Sequence, residues 1–466
     1  MIADLKPYPA MKDSGVDWLG DVPEDWEVLR GRRVFEIRKR IAGELGHSVI
    51  SVTQAGLRIK NVETGEGQVS QDYSKYQVVK AGEFAMNSMD LLTGGVGIAD
   101  TSGVTSPDYR VFGIRPNLRV RSRYMLHVLR VLYQNRGFYA WGQGSAQLGR
   151  WRLPRKRFND FPFPVPPEDT QAAIVQYLDH VDRRVRRLVR AKRKLIALIM
   201  EQKQVIIHRA VTRGLDPDVA LKDIDLDSAS RIPAHWDVVR ASTVSDFHNG
   251  KAHEQFVEDD AEFICVTARF VSTGGKAARR CTVNRCPARI GDVLMVMSDL
   301  PRGRALARSF LTTEDDLFAV NQRVCILRPI AIEARFLAYY ANRNLQLLAY
   351  DDGSNQTHLS NYAFKTFRVL LPPRDEQTAI ADYLDKACQI ADTQTAYLNR
   401  EIDLLNEYRT RLIADVVTGK LDVREVTEEL PEINSLDEAE HFDDVLEADG
   451  ETDCGDLTAM PEEPEA

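Results

Sequence analysis

The chain has 466 residues, 44% of them hydrophobic and 28% charged, with a formal net charge of −8. That length allows two or three domains with true cores, and no apolar run approaches the roughly 18–20 residues needed to cross a bilayer. The N-terminus, MIADLKPYPAMKD, lacks the basic-then-apolar profile of a secretory signal, and six scattered cysteines offer no CxxC or nearby histidine set. Reduced thiols, no metal site and a cytoplasmic location are therefore expected.

In chain order, VPEDWEVLR (Val22 to Arg30) precedes short strand-like runs, SVTQAGLRI, YQVVKAGEFAMNS and RVFGIRP, separated by glycine turns. RYMLHVLRVLYQ (Arg123 to Gln134) reads as an amphipathic helix, followed by a Gly-Ser loop, GSAQL, from Gly144. Two prolines from Pro166 then open a long segment without proline or glycine up to Gly214. The series now repeats. IPAHWDVVR (Ile232 to Arg240) is followed by FICVTARFV, GDVLMVMS and RVCILRP. The helix-like ARFLAYYANRNLQLLAY comes next, then GSNQT from Gly353 and a second proline pair from Pro372.

The strongest echo is a stretch of about fifty residues that recurs 206 positions later without a gap. PPEDTQAAIVQYLD from Pro166 returns as PPRDEQTAIADYLD from Pro372, and AVTRGLD returns as VVTGKLD. Four further echoes keep the same order: VPEDW with IPAHW, AGEFAMNSMDL with IGDVLMVMSDL, IRP with LRP, and GSAQL with GSNQT. The spacing is too long for a solenoid repeat, so a domain-sized half is duplicated. The expected fold is α+β, with two mixed α/β domains separated by two long antiparallel helices and related by an internal pseudo-two-fold. The boundaries expected are a first domain at 1–160, a helix at 161–215, a second domain at 216–366, a helix at 367–423 and an acidic tail at 424–466.

Each helix carries a 4-3 apolar spacing, the mark of a coiled-coil seam. In the first it runs Ile174, Leu178, Val181, Val185, Leu188, Lys192, Leu195, Ile199, Gln202, Ile206. In the second it runs Ile380, Leu384, Ala387, Ala391, Gln394, Leu398, Glu401, Leu405, Tyr408, Leu412. An antiparallel register that sets Lys192 opposite Glu401 also sets Leu195 against Leu398 and Leu188 against Leu405. It lets the two polar seam residues neutralise each other.

Net charge conceals a strong asymmetry. Residues 424–466 hold 17 acidic residues and one basic residue, the composition of a disordered tail that could mimic DNA, aid solubility or be inert. Residues 110–159 hold twelve Arg or Lys and no acid, with Tyr, Trp and Phe interleaved. A long anion that stacks is the natural partner for that stretch, and a solvated basic face is the plainer alternative. Catalytic motifs fail. TGGVGIAD is not GxGxxG, GGKA lacks the phosphate-loop frame, and there is no HExxH.

The duplicated PPxxxQxxIxxYLD helix, the closing YRTRLIADVVTGKLDVR and the opening SGVDWLGDVPEDWEV resemble the specificity subunit of a type I restriction–modification system, over nearly the whole chain to about residue 424. The resemblance implies a non-catalytic protein whose two recognition domains each read half of a split, asymmetric site in double-stranded DNA. Its helices would act as a ruler and dock two methyltransferase subunits. S-adenosylmethionine would then belong to those partners, and ATP and magnesium to restriction subunits; no cofactor is expected here. A stand-alone DNA-binding regulator on the same frame, or a nuclease with an unrecognised site, are the alternatives.

Base reading calls for donors and acceptors that can enter a groove. The internal echo nominates Ser145, Gln147, Arg150 and Trp151 in the first half and Ser354, Asn355, Gln356 and His358 in the second. Asn87 and Ser88, with Ser298 and Arg302, follow from the strand-turn echo. Any of them would equally serve to stabilise a loop. Arg152, Arg155, Lys156 and Arg157 are expected on phosphates, adding affinity without specificity.

Overall fold

The computed structural model describes residues 5–60, 72–145, 150–299, 304–351 and 357–430. It divides into two compact units, Met1–Ala191 with Arg400–Ala466, and Lys192–Asn399. The division falls inside both long helices, so each unit holds one α/β domain, the start of one helix and the end of the other.

The elements that position the site are, in order, β1 (Glu27–Arg30), β2 (Phe35–Ile37), β3 (Phe84–Met86), β4 (Val96–Ile98) and β5 (Arg110–Ile114). They continue with α1 (Ser122–Gln134), β6 (Gln143–Ser145), β7 (Arg150–Arg152), α2 (Arg155–Asp160), β8 (Pro162–Val165) and the long helix α3 (Glu168–Arg213). The second half supplies β9 (Asp237–Arg240), β10 (Ser245–Asn249), β11 (Val293–Val296), β12 (Ser298–Asp299), β13 (Ser309–Leu311) and β14 (Val324–Pro329). Then come α4 (Ala334–Ala341), β15 (Thr357–His358), α5 (Asn361–Thr366), β16 (Arg368–Leu371), the long helix α6 (Arg374–Val417) and α7 (Arg424–Glu428).

Each unit is wired the same way. In the first, an antiparallel sheet has the order β2-β5-β3-β4, and β1 pairs with β8. In the second the order is β10-β14-β11-β13, and β9 pairs with β16. The duplication seen in the sequence is thus a duplication of topology. The additions differ: the second unit has a three-stranded sheet of Arg279–Cys281, Phe263–Val266 and Phe318–Val320, one pair of it parallel.

Some echoed residues brace the domain itself, and others tie it to the helices. Trp26 and Trp236 are fully buried in their unit's core. Glu83, in AGEF, and Asp292, in IGDV, are buried acids that accept the backbone N–H of Lys80 (3.0 Å) and Arg289 (2.7 Å), each three residues earlier. Glu83 binds Arg38 and Arg40, and Asp292 takes Arg328 through both oxygens at 2.9 and 2.8 Å. Burial alone would push the Glu83 carboxyl up, but the Lys80 N–H and the two guanidiniums outweigh it and hold it below the usual range.

The glutamine of the repeated helix start is buried in both copies. The Gln171 side-chain oxygen accepts from the Arg121 N–H (2.7 Å), and its nitrogen donates to the carbonyls of Arg119 (3.1 Å) and Pro166 (2.8 Å). Gln377 does the same with the Glu333 N–H (2.7 Å) and the Pro372 carbonyl (2.8 Å). One carboxamide therefore locks the start of each long helix onto the segment that opens the domain's own helix. The helices end at left-handed glycines, Gly214 (φ +74°) and Gly419 (φ +81°). A Cβ on Gly419 would lie 2.4 Å from Pro23. The second helix stops earlier relative to its copy, because its glycine stands one residue earlier, in VTGK against VTRG.

The two helices run antiparallel within each unit. In the first, Asp182 meets Arg409, and Val181 and Val185 share a buried cluster with Leu412 and Val416. In the second, Lys203 Nζ meets Asp392 Oδ1 at 2.6 Å, and Ile207, Ala210 and Val211 pack with Ile380, Leu384 and Cys388. The seam departs from the expected one on alternate steps. Val189, Ile196 and Lys203 are turned inward, whereas Leu188, Leu195 and Gln202 are exposed. On α6 the inward set includes Cys388, Thr395, Ile402 and Arg409, while Gln394, Glu401 and Tyr408 are exposed. Two successive steps of four after Val181 cause the shift in α3: a helix of 3.6 residues per turn drifts about 20° per heptad against a strict 3.5 repeat. Lys192 is half-buried.

The first residues assigned to the tail, through Leu430, are folded. Thr427 in α7 is buried and donates its hydroxyl to the carbonyls of Val423 (2.5 Å) and Ala173 (3.4 Å). The remainder, 431–466, lies outside the described residues.

Candidate nucleic-acid interface

In the first unit the chain leaves β3 through a turn at Asn87–Asp90. Asn87 Oδ1 accepts the Met89 N–H (3.1 Å), and the Tyr133 hydroxyl on α1 donates to the Asn87 carbonyl (2.7 Å). The β6–β7 hairpin pairs Gln143 with Arg152, Gly144 with Trp151 and Ser145 with Arg150. Its second strand runs along the turn: Leu153 N donates to Ser88 O (2.9 Å), and Leu91 N donates to Trp151 O (3.0 Å). The strand-turn and Gly-Ser nominees of the first half are therefore neighbours.

The second unit repeats the junction. β12 and β15 pair Ser298 with His358 and Asp299 with Thr357, and Leu359 N donates to Met297 O (2.7 Å). Asp299 Oδ2 accepts the N–H groups of Ala305 (2.7 Å) and Leu306 (3.1 Å), closing the loop that leaves β12. Two segments far apart in sequence thus meet at an equivalent place in each copy.

Individual nominees fare differently. Ser88 and Ser298 are 6% and 7% exposed, so they shape the junction through their backbone. Trp151 is half-buried; its indole N–H donates to the Tyr139 carbonyl (2.8 Å) and its ring stacks on Tyr139 at 5.2 Å. His358 is exposed at the β15 edge. Ser145 and Arg150 are placed by their strands only. Gln147, Arg302, Ser354, Asn355 and Gln356 lie outside the described residues. The phosphate nominees are all exposed: Arg152 on β7, and Arg155, Lys156 and Arg157 on α2. Phe158 on that short helix is fully buried against Phe35 at 5.4 Å, which fixes the basic turn to the core.

Sequence reasoning missed Arg110, the first residue of β5. It is 8% exposed, donates from Nη2 to the Leu153 carbonyl (2.7 Å) and lies over the Phe158 ring at 4.8 Å. Burial pulls its pKa down to about 10, and its other terminal nitrogen has no partner among the described residues. It anchors the β7 strand from beneath. The only hint was an arginine that also heads the matching run of the second half, in RVFGIRP and RVCILRP. There Arg323 is exposed, and its carbonyl accepts the Met297 N–H (2.9 Å).

Among the described residues no group of three or more His, Cys, Asp or Glu could hold a metal, and no helix is long and apolar enough to cross a membrane. The junctions are built from loop backbone, amide and imidazole groups beside guanidiniums. That is equipment for hydrogen bonding to base edges and phosphates.

Residues 233–404 match the family model described as Type I restriction modification DNA specificity domain. The type I restriction enzyme MjaVIII specificity subunit of Methanocaldococcus jannaschii is 21% identical over 434 residues, covering 86% of this chain and 94% of that protein. The putative type I restriction enzyme MjaX specificity subunit of the same organism is 20% identical over 441 residues, covering 87% and 96%. A chain in a solved structure concerned with assembly and conformational transition of the type I R-M system superposes with a TM-score of 0.62. It shares 15% identity and covers 85% of this chain and 98% of its own.

Proposed function

We infer that this chain, a member of the type I restriction–modification specificity-subunit family, is the DNA-reading component of such a complex, with one half of a bipartite asymmetric site read by each unit. The observation that carries this reading is the junction built twice, where a strand-turn segment meets the strand that follows the Gly-Ser loop, at equivalent places on two copies of one topology. Two copies with divergent loops read two different half-sites. The α/β domains, assigned to residues 1–160 and 216–366, do the reading.

The long helices at 161–215 and 367–423 set the spacing between half-sites and carry the partner subunits. In support, exposed apolar residues follow one another at heptad spacing on α6, at Tyr383, Ile390 and Tyr397. Two methyltransferase subunits dock there, and restriction subunits join them. The subunit is not itself an enzyme. S-adenosylmethionine, ATP and magnesium serve those partners, and the complex acts on DNA in the cytoplasm.

Candidate base-reading groups are Asn87, Ser145, Gln147, Arg150 and Trp151 in the first half and Arg302, Ser354, Asn355, Gln356 and His358 in the second. Arg152, Arg155, Lys156 and Arg157 hold phosphates. The test is methylation mapping of a host's genomic DNA with and without this gene, beside its methyltransferase partner. A split, asymmetric methylated motif that disappears on deletion is expected; an unchanged methylome in a host with an active partner would refute the reading.

A further inference from the structure

Two segments of this chain are strongly and oppositely charged. Residues 431–466 contain fourteen Asp or Glu and no Lys or Arg; residues 110–159 contain twelve Arg or Lys and no acid. Nine of those twelve basic side chains are exposed, from Arg115 through Arg123 to the Arg155–Arg157 turn. Among the described residues acids answer few of them: Glu168 lies 4.0 Å from Arg119, and Asp179 lies 2.9 Å from Arg123. A face of that kind repels itself unless an anion covers it.

The described chain ends close to part of this basic stretch. α7 is fixed to the first unit by the Thr427 hydroxyl on the Ala173 carbonyl. Two residues before Ala173, Gln171 is hydrogen-bonded to the backbone of Arg119 and Arg121. The described chain therefore ends, at Leu430, on the part of the unit that carries Arg119 and Arg121. Thirty-six residues can span up to about 120 Å, and a unit of this size is roughly 40–50 Å across, so the whole face is within reach. Tethering at such range corresponds to an effective concentration on the order of millimolar.

We propose that residues 431–466 occupy the basic face of the first unit when DNA is absent, and that they act as a tethered competitor which weakens binding to unrelated DNA. This inference rests on the reading of that face as a phosphate-binding surface. Phosphate contacts supply nearly all of the unspecific affinity. A competitor for those contacts lowers the apparent affinity of every duplex by one factor, so unrelated DNA, held by phosphate contacts alone, is released first, while a matching site stays bound through its added base contacts. The contact is between exposed charges, so it is dynamic and salt-sensitive.

The experiment compares three chains, each assembled with the methyltransferase partner: the full chain, a chain ending at Leu430, and a full-length chain with the fourteen acids changed to Asn or Gln. Affinity for an unrelated duplex and for the methylated-motif duplex is measured across a salt series. Both variants are expected to bind the unrelated duplex about fivefold or more tightly than the full chain at ~50 mM salt, with the gap closing by ~300 mM. A synthetic 431–466 peptide at millimolar concentration should restore the weaker binding. Equal affinities for all three chains, or a gain seen on truncation but not on charge removal, overturn the proposal while leaving the DNA-reading role intact. If none of the three binds duplex DNA at any salt, the DNA-reading role itself fails, and this inference with it.

Discussion

Gln171 shows how a residue can be conspicuous in the sequence and still conceal its task. Its recurrence as Gln377 was plain, but a glutamine near a helix start is ordinarily read as surface. Each is buried, with donor and acceptor sides both engaged. Removing the carboxamide leaves buried backbone groups unpaired, a loss of about 2–3 kcal/mol. Gln171→Ala should therefore lower the denaturant midpoint of the first unit, and Gln377→Ala that of the second. Side chains proposed to face DNA call for a different readout. Replacing Arg155 or Arg157 by Ala should weaken matched and unrelated duplexes alike and reduce the slope of log affinity on log salt by about 1. His358→Ala should instead relax one base position in one half-site by about 1–3 kcal/mol. A variant at Arg155 that altered the motif would refute the division between phosphate and base contacts. Arg110 escaped notice because a lone arginine in a strand carries no periodic signal; only its burial under β7 reveals what it holds.

At the level of elements, both long helices were legible, since proline pairs and glycines punctuate them and nothing breaks the chain between. The inward face was harder. Apolar spacing chose Leu188 and Leu195, yet both are exposed, because a 3.5-residue template gathers phase error along an α-helix of more than forty residues. That Lys192 stands opposite Glu401 is a proposal, and charge reversal tests it. Lys192→Glu or Glu401→Lys alone should lower stability by about 0.5–1 kcal/mol, as expected for a partly solvated pair. The double swap should restore it; additive losses would exclude the pairing. The outward face has its own consequence. Tyr383, Ile390 and Tyr397 are exposed, so changing all three to Gln should shift the melting temperature little. The same change should abolish co-purification with the methyltransferase subunit, and retained co-purification would move the docking site elsewhere.

For the whole molecule, the duplication was readable because both copies keep the same framework residues: the tryptophan, the buried acid, the glutamine and the glycine stop. The loops between them were not readable as contacts. Ser88 with Leu153 and Met297 with Leu359 are pairings between distant segments, and no local pattern announces them. If the helices set the distance between half-sites, their length should be adjustable in steps that respect both periodicities. One heptad added to both helices at the level of Lys192 and Glu401 lengthens them by about 10 Å, close to 3 base pairs, yet turns each helix face only ~20°. The far half-site would then be displaced roughly 100° around the duplex, where a rigid pair of domains cannot follow it at a turn of about 34 Å. Three heptads add about 32 Å, nearly one full turn of DNA, and return the half-site to the same face. Methylation mapping should therefore find little activity with one added heptad. With three, it should find the original half-sites separated by about 9–10 more base pairs. An unchanged spacer in the three-heptad chain would mean that the helices do not measure the site.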